Sequence, residues 1–156
     1  MPKAKSSYRL NVAAFVLNQR GAILCCERSD RPGAWQLPQG GIEKGETAEE
    51  ALFRELLEEI LINDVAILGR LDTPIRYDWP KDLHRKGHIG QEQHYFLVRF
   101  TKKAEKNFTG APSEEFGGFA WTGAAEFLSR CSGFKSAAYR SALEQFQTLF
   151  PGIIAP

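Results

Sequence analysis

From Thr47 to Leu61 the apolar residues fall every three or four positions (Ala48, Ala51, Leu52, Phe53, Leu56, Ile60, Leu61), one stripe of an amphipathic helix. Thr47 and Glu50 stand at capping-box spacing in front of it, each able to satisfy a backbone N–H that the first turn leaves unpaired. On that helix Glu55, Glu58 and Glu59 are spaced i, i+3, i+4, so three carboxylates leave a single turn. Before the helix the pattern is different. Leu10–Leu17 reads as a buried strand, Asn18-Gln19-Arg20-Gly21 as a turn, Ala22–Glu27 as a second strand and Trp35-Gln36-Leu37 as a short third. Pro38 and the pair Gly40-Gly41 are expected to break regular structure. After the helix, 64–71, 73–77, 93–101 and 118–122 read as strands, 78–92 and 102–115 as polar loops, and 136–150 as a closing helix. Strands mixed with two or three helices indicate an α+β fold or an α/β/α layered domain, with a mixed sheet.

Twenty Lys and Arg against 19 Asp and Glu give a net charge of +1. That excludes a broad electrostatic grip on nucleic acid or an anionic membrane, while leaving room for a local basic patch. The longest apolar run, Val12–Leu17, is too short to span a bilayer, so no membrane association is expected. Met1–Ser7 carries charge with no apolar stretch behind it, unlike a secretory signal. Of the three cysteines, Cys25 and Cys26 are neighbours whose side chains leave a strand on opposite faces. All three are read as free thiols in a reducing compartment, the cytoplasm. At 156 residues the chain is expected to form one domain with its core at about 8–150. The sequence names no protein partner and does not fix the oligomeric state; a monomer is one state it allows.

Three like charges on one turn repel unless a cation joins them. Mg2+, for which Mn2+ can substitute, takes oxygen ligands and commonly bridges carboxylates to substrate phosphates. Arg54 cannot be deprotonated and presents a fork of donors; paired with Glu46 it can tie the glycine segment to the helix and orient the carboxylates. The competing reading is a solvated acidic helix face, because Glu is a good helix former. That reading leaves Gly40, Glu46 and Arg54, at fixed offsets ahead of the glutamates, without an explanation.

Those offsets resemble the Nudix box of the Nudix hydrolases: Gly40, Glu46, Arg54-Glu55-Leu56, Glu58-Glu59 and Ile62. One position departs, for Leu61 stands where the family carries glycine. Leucine resists the left-handed conformation, so Asn63 is expected to end the helix instead. Beyond the box, Trp35–Gly41, Tyr8–Val12, Ile75-Arg76-Tyr77, Ile89–Gln93 and Phe134-Lys135 resemble the bacterial RNA 5′-pyrophosphohydrolase branch and the closely similar dinucleoside polyphosphate hydrolases.

The resemblance implies a Nudix fold, an α/β/α sandwich around a mixed β-sheet, and attack of water on phosphorus, converting 5′-triphosphate RNA ends to 5′-monophosphate. The alternative is asymmetric cleavage of diadenosine polyphosphates; a (d)NTP pyrophosphatase and a silent nucleotide-binding module rank lower. It implies that Glu55, Glu58, Glu59 and Glu115 hold the metal, Glu115 being favoured over Glu114, and that Glu55, Arg54 and Glu58 are catalytic. Glu55 is the first choice of general base and Glu115 the second, with Glu46 orienting Arg54. Arg9, Arg76 and Lys135 would supply charge to the phosphates, Tyr77 or Phe134 a stacking surface, and Gln39, Gly40 and Gly41 backbone along the substrate. Against these stand Phe134 as core, Lys135 as an ordinary surface lysine and Arg76 as a strand-end ion-pair partner. Trp35 suits stacking or the core equally, and the His84, His88, His94 spacing lacks the cysteine and the element that a zinc site needs.

Overall fold

The computed structural model describes residues 7–156; the stretch read as lacking a secretory signal lies almost wholly outside the described residues. The elements are β1 (Tyr8–Leu17), β2 (Ile23–Arg28), β3 (Trp35–Gln36), β4 (Gln39–Gly41), α1 (Ala48–Ile60), β5 (Val65–Arg70), β6 (Ile75–Asp78), β7 (Gly90–Phe100), α2 (Lys102–Asn107), β8 (Phe116–Thr122), α3 (Ala124–Arg130) and α4 (Ser136–Leu149). The strands make one mixed sheet with the path β3-β2-β1-β7-β5, to which β4 adds through β1, β6 through β7 and β8 through β2. β1 runs parallel to β7 from Tyr8↔Gly90 to Leu17↔Arg99, and the remaining pairs are antiparallel.

β1 is buried on both faces, which explains its unbroken apolar run. Ala13, Phe15 and Leu17 point into a layer shared with Phe127 of α3 and Tyr139, Leu143 and Phe146 of α4. Val12, Ala14 and Val16 point into the opposite layer, with Leu52, Leu56 and Ile60 of α1 and Ala104 of α2. Each large side chain so enclosed contributes about 1.5–3 kcal/mol. This is the expected α/β/α sandwich. Cys25 and Cys26 fall in opposite layers, as period 2 requires, and all three cysteines are free and buried. No helix among the described residues is long and apolar enough to cross a membrane.

Three local expectations need correction, and one helix is added. Gln39-Gly40-Gly41 is a strand, because pairing with Ala13, Val12 and Asn11 of β1 overrides the weak strand propensity of glycine. Within the expected loop after β7, α2 forms on the Thr101 cap, whose hydroxyl accepts from Ala104 N at 3.0 Å. α3 was not anticipated; its seven residues show too little periodicity to stand out. Finally, α1 ends on Leu61 itself, at φ 64° and ψ 15°. Ile60 and Ile62 on either side both pack into the α1 layer, so burial of the two isoleucines imposes the left-handed turn on the half-exposed leucine between them.

Candidate active site

β4 and α1 meet at the glycine pair. Successive strand residues face opposite sides, and at both glycines a functional group fills the place of the missing side chain. A Cβ on Gly40 would lie 2.0 Å from the carboxyl carbon of Glu55, and one on Gly41 would lie 2.2 Å from Nη2 of Arg9. The glycines thus seat a carboxylate and a guanidinium against adjoining residues of one strand.

Arg54 ties this strand to the helix. Its Nε and Nη2 donate to the two oxygens of Glu46, both at 2.8 Å, Nη2 donates to the Gly41 carbonyl at 2.9 Å, and Nη1 donates to Glu55 Oε1 at 2.7 Å. The paired donors hold the Glu46 carboxyl at about 2, well below the usual carboxylate range. Glu59 is in the reverse situation. It is 5% exposed, and its Oε2 accepts from Gln39 N at 3.3 Å. Burial, followed by the neighbouring Glu55 carboxyl, pushes it well above the carboxylate range. Glu58 is largely exposed and reaches Arg54 Nη1 at 3.5 Å. The loop carrying Glu114 and Glu115 is pinned to the end of α1 by Ser113, whose hydroxyl donates to the Glu59 carbonyl at 2.6 Å and accepts from Phe116 N at 3.1 Å.

Among the described residues no three His, Cys, Asp or Glu side chains converge as a ready-made metal site; Arg54 holds one oxygen of Glu55 at 2.7 Å and lies 3.5 Å from Glu58. The donor set nevertheless fits a hard cation. Every candidate ligand is a carboxylate oxygen, the space above Gly40 is kept clear for Glu55, and the buried Glu59 has no ion-pair partner among the described residues. A divalent ion would supply the positive charge that this group lacks.

The carboxylates open into a cleft of about 570 Å3, which Glu55, Glu58, Glu59, Glu114 and Glu115 share with Arg9, Arg28, Arg31, Arg85 and Lys135. Gln39, Gly40 and Gly41 line it, and so does Phe134, 40% exposed, with its ring centroid 6.0 Å from that of Tyr77. Lys135 donates to Gln36 Oε1 at 3.0 Å, and burial together with Arg28 lowers its pKa to about 8.

Two expected contributors do not line the cleft. Arg76 is bound to Glu92 Oε1 at 2.8 Å and lies over the Tyr8 ring, so it is the strand-end ion-pair partner. Tyr77, its neighbour on β6, is buried and donates to Gln91 Oε1 at 3.1 Å; it supports Phe134 from behind and leaves the exposed ring to Phe134. Trp35 packs against the α3/α4 layer with Arg130 over its face. His84 bonds the Trp79 carbonyl and His94 pairs with Arg70, so the histidines do not gather. Sequence reasoning missed Arg28, Arg31, Trp79, Arg85 and Gln91. The first two flank the turn leading into the Trp35 block, and cations so close to a phosphate-directed segment were the available signal.

A mixed sheet between helical layers, with a glycine strand laid against an acidic helix turn, defines the Nudix class of fold. The NUDIX domain family matches residues 7–142, and the chain belongs to that family. It is similar to the RNA pyrophosphohydrolase of Sulfurovum sp. (strain NBC37-1), at 42% identity over 91% of this chain and 94% of that one. It is also similar to the RNA pyrophosphohydrolase of Helicobacter pylori (strain P12), at 40% over 90% and 94%. In fold it matches the E. coli dihydroneopterin triphosphate pyrophosphohydrolase, with a TM-score of 0.72 at 21% identity over 89% and 96% of the two chains.

Proposed function

We propose that the protein hydrolyses the 5′-triphosphate ends of RNA, releasing pyrophosphate or successive phosphates and leaving a 5′-monophosphate. The observation that carries this reading is near full-length similarity, at 40–42% identity, to proteins named RNA pyrophosphohydrolase. A cleft that joins carboxylates, cations and one exposed aromatic ring supports it.

Nudix hydrolases generally use divalent metal ions; here Glu55, Glu58, Glu59 and Glu115 would hold Mg2+, with Mn2+ as substitute. The bound ion supplies charge neutralisation along the phosphate chain and a lower pKa for the attacking water. Glu55, held by Arg54 in the space above Gly40, takes the proton from that water, with Glu115 the next candidate. Glu46 keeps Arg54 in place. Arg9 and Lys135 bind phosphate oxygens, and Phe134 stacks on an unpaired base without demanding a particular one. The protein's work is then alignment and charge placement more than covalent chemistry. The free, buried thiols suit work in the cytoplasm.

The test is a single incubation of 5′-triphosphate RNA and diadenosine tetraphosphate at equal concentration with Mg2+, the products separated by chromatography. Preferential formation of 5′-monophosphate RNA is expected. A kcat/KM at least about 100-fold higher for the dinucleotide, some 2.7 kcal/mol of discrimination, would reverse the assignment.

A further inference from the structure

α4 opens with two side chains one turn apart, Lys135 at its N-cap and Tyr139 four residues on, and Tyr139 N donates to the Lys135 carbonyl at 3.1 Å. Each takes hold of a glutamine in the segment that joins β3 to β4. Lys135 Nζ donates to Gln36 Oε1 at 3.0 Å, and the Tyr139 hydroxyl donates to Gln39 Oε1 at 2.5 Å. The same hydroxyl accepts from Leu37 N at 3.3 Å, so its proton and a lone pair are both used. Between the glutamines, the Pro38 carbonyl accepts from Ala14 N of β1 at 3.1 Å. The entry to β4 is therefore pinned from two sides, by β1 and by α4.

Tyr139 is 1% exposed, with its ring centroid 5.7 Å from that of Phe127. For packing alone phenylalanine would serve as well, because a buried hydroxyl is unfavourable unless partners satisfy it. Both partners here belong to the segment leading into Gly40. Burial pushes the hydroxyl well above the usual tyrosine range, so it keeps its proton and remains the donor to Gln39.

The other side of Gln39 faces the acidic turn. Among the described residues β4 pairs with β1 alone, and Gln39 N donates across the open edge to Glu59 Oε2 at 3.3 Å. The next residue, Gly40, seats the Glu55 carboxylate. A displacement of Gln39 thus reaches two of the carboxylates assigned to the metal. Tyr139 itself does not line the cleft, so it acts through the strand.

We propose that Tyr139 is a positioning residue for the metal-binding carboxylates: its hydroxyl, through Gln39, fixes the β4 backbone against which Glu59 and Glu55 are set. This rests on the metal-dependent reading given above.

The experiment is a calorimetric titration of Mn2+ into the full chain, as wild type, Tyr139→Phe, Gln39→Met, the double variant and Phe146→Leu. Phe146 packs in the same layer further along α4, so its shortening reads the cost of loosening that layer. Loss of a support behind a metal ligand costs roughly 10–100-fold in affinity, and Tyr139→Phe should weaken Mn2+ binding by about tenfold, the lower end. Phe146→Leu should lower the Tm and leave the affinity within about threefold of wild type. Adding Tyr139→Phe to Gln39→Met should change the affinity by less than about threefold, because the first acts through the second. Affinity within about threefold of wild type in Tyr139→Phe, or an equal loss in Phe146→Leu, overturns the proposal and leaves Tyr139 a core residue. Additive losses in the double variant overturn the route through Gln39. If the wild type binds Mn2+ and yet releases no phosphate from 5′-triphosphate RNA, the RNA reading fails while the Mn2+ series still decides Tyr139. A wild type that binds no Mn2+ overturns the proposal together with the metal site.

Discussion

The Glu55 carboxylate occupies the space that a side chain at Gly40 would fill, with its carbon only 2.0 Å from the site of a Cβ. Arg54 holds one of its oxygens at 2.7 Å, so the carboxylate cannot withdraw without losing that bond. Gly40→Ala is therefore expected to displace Glu55 or bend β4. A shift of about 1 Å in a catalytic group costs on the order of 10² in rate. Steady-state kinetics on 5′-triphosphate RNA should show kcat down by at least about that factor, with circular dichroism close to wild type. Near-normal turnover by Gly40→Ala would dismiss Glu55 as the base.

Glu46 and Arg54 make a clamp whose strength depends on pH with a definite sign. The Glu46 carboxyl is depressed to about 2 in the folded protein by the Arg54 guanidinium and the Glu43 N–H, against about 4.3 in an unfolded chain. A depressed acid stabilises the fold above its unfolded pKa and loses that contribution as pH falls toward its folded one. Denaturant melts of wild type and Glu46→Gln should differ by a constant amount from about pH 6 upward, and the gap should close between about pH 5 and 2.5. A gap that stays constant as the pH falls would show that the clamp is not an ion pair in solution.

Leu61 stores backbone strain at φ 64° and is 51% exposed. Leu61→Ala and Leu61→Gly delete the same contacts, so the difference between them reads the conformation alone. At a positive φ, glycine should be the more stable variant by about 1 kcal/mol, reversing its usual helix-position penalty. For a chain of this size that is a Tm difference of roughly 2–4 °C. Equal melting temperatures, or alanine ahead, would mean that the helix end relaxes in solution.

What the chain announces about itself follows from where the energy lies. α1 was legible because cap, apolar stripe and carboxylates lie within its own turns, and the residues around Gly40, Glu46 and Arg54 were legible because their spacing resembles a known pattern. β4 was not, since its existence depends on β1 beside it and on two groups that need the absence of a side chain. Leu61 misled for a related reason: local preference opposed the left-handed turn, and burial of Ile60 and Ile62 outweighed it. On β6, alternation sends Ile75 and Tyr77 inward and Arg76 out to Glu92, but which face the cleft would adjoin is a property of the whole sheet. Trp79 and Arg85 were hidden in what reads as a polar loop. Their meeting depends on a hairpin whose turn residue, Lys86, argues against a turn.

Lys135 gives the last expectation. It stands at the start of α4, with Nζ on Gln36 and burial holding its pKa near 8. Below that pH the free enzyme presents an ammonium to the phosphate chain, and above it a neutral amine. Because kcat/KM follows the free enzyme, it should fall as pH rises through about 8. A bound phosphate chain favours the charged form, so the corresponding limb in kcat should lie higher. Lys135→Arg, whose guanidinium does not titrate in this range, should keep most of the activity and lose the limb. Lys135→Met should lose the limb and lie lower throughout. A limb near pH 8 that survives in both variants would belong to another group and leave Lys135 as an ordinary hydrogen-bond donor to Gln36.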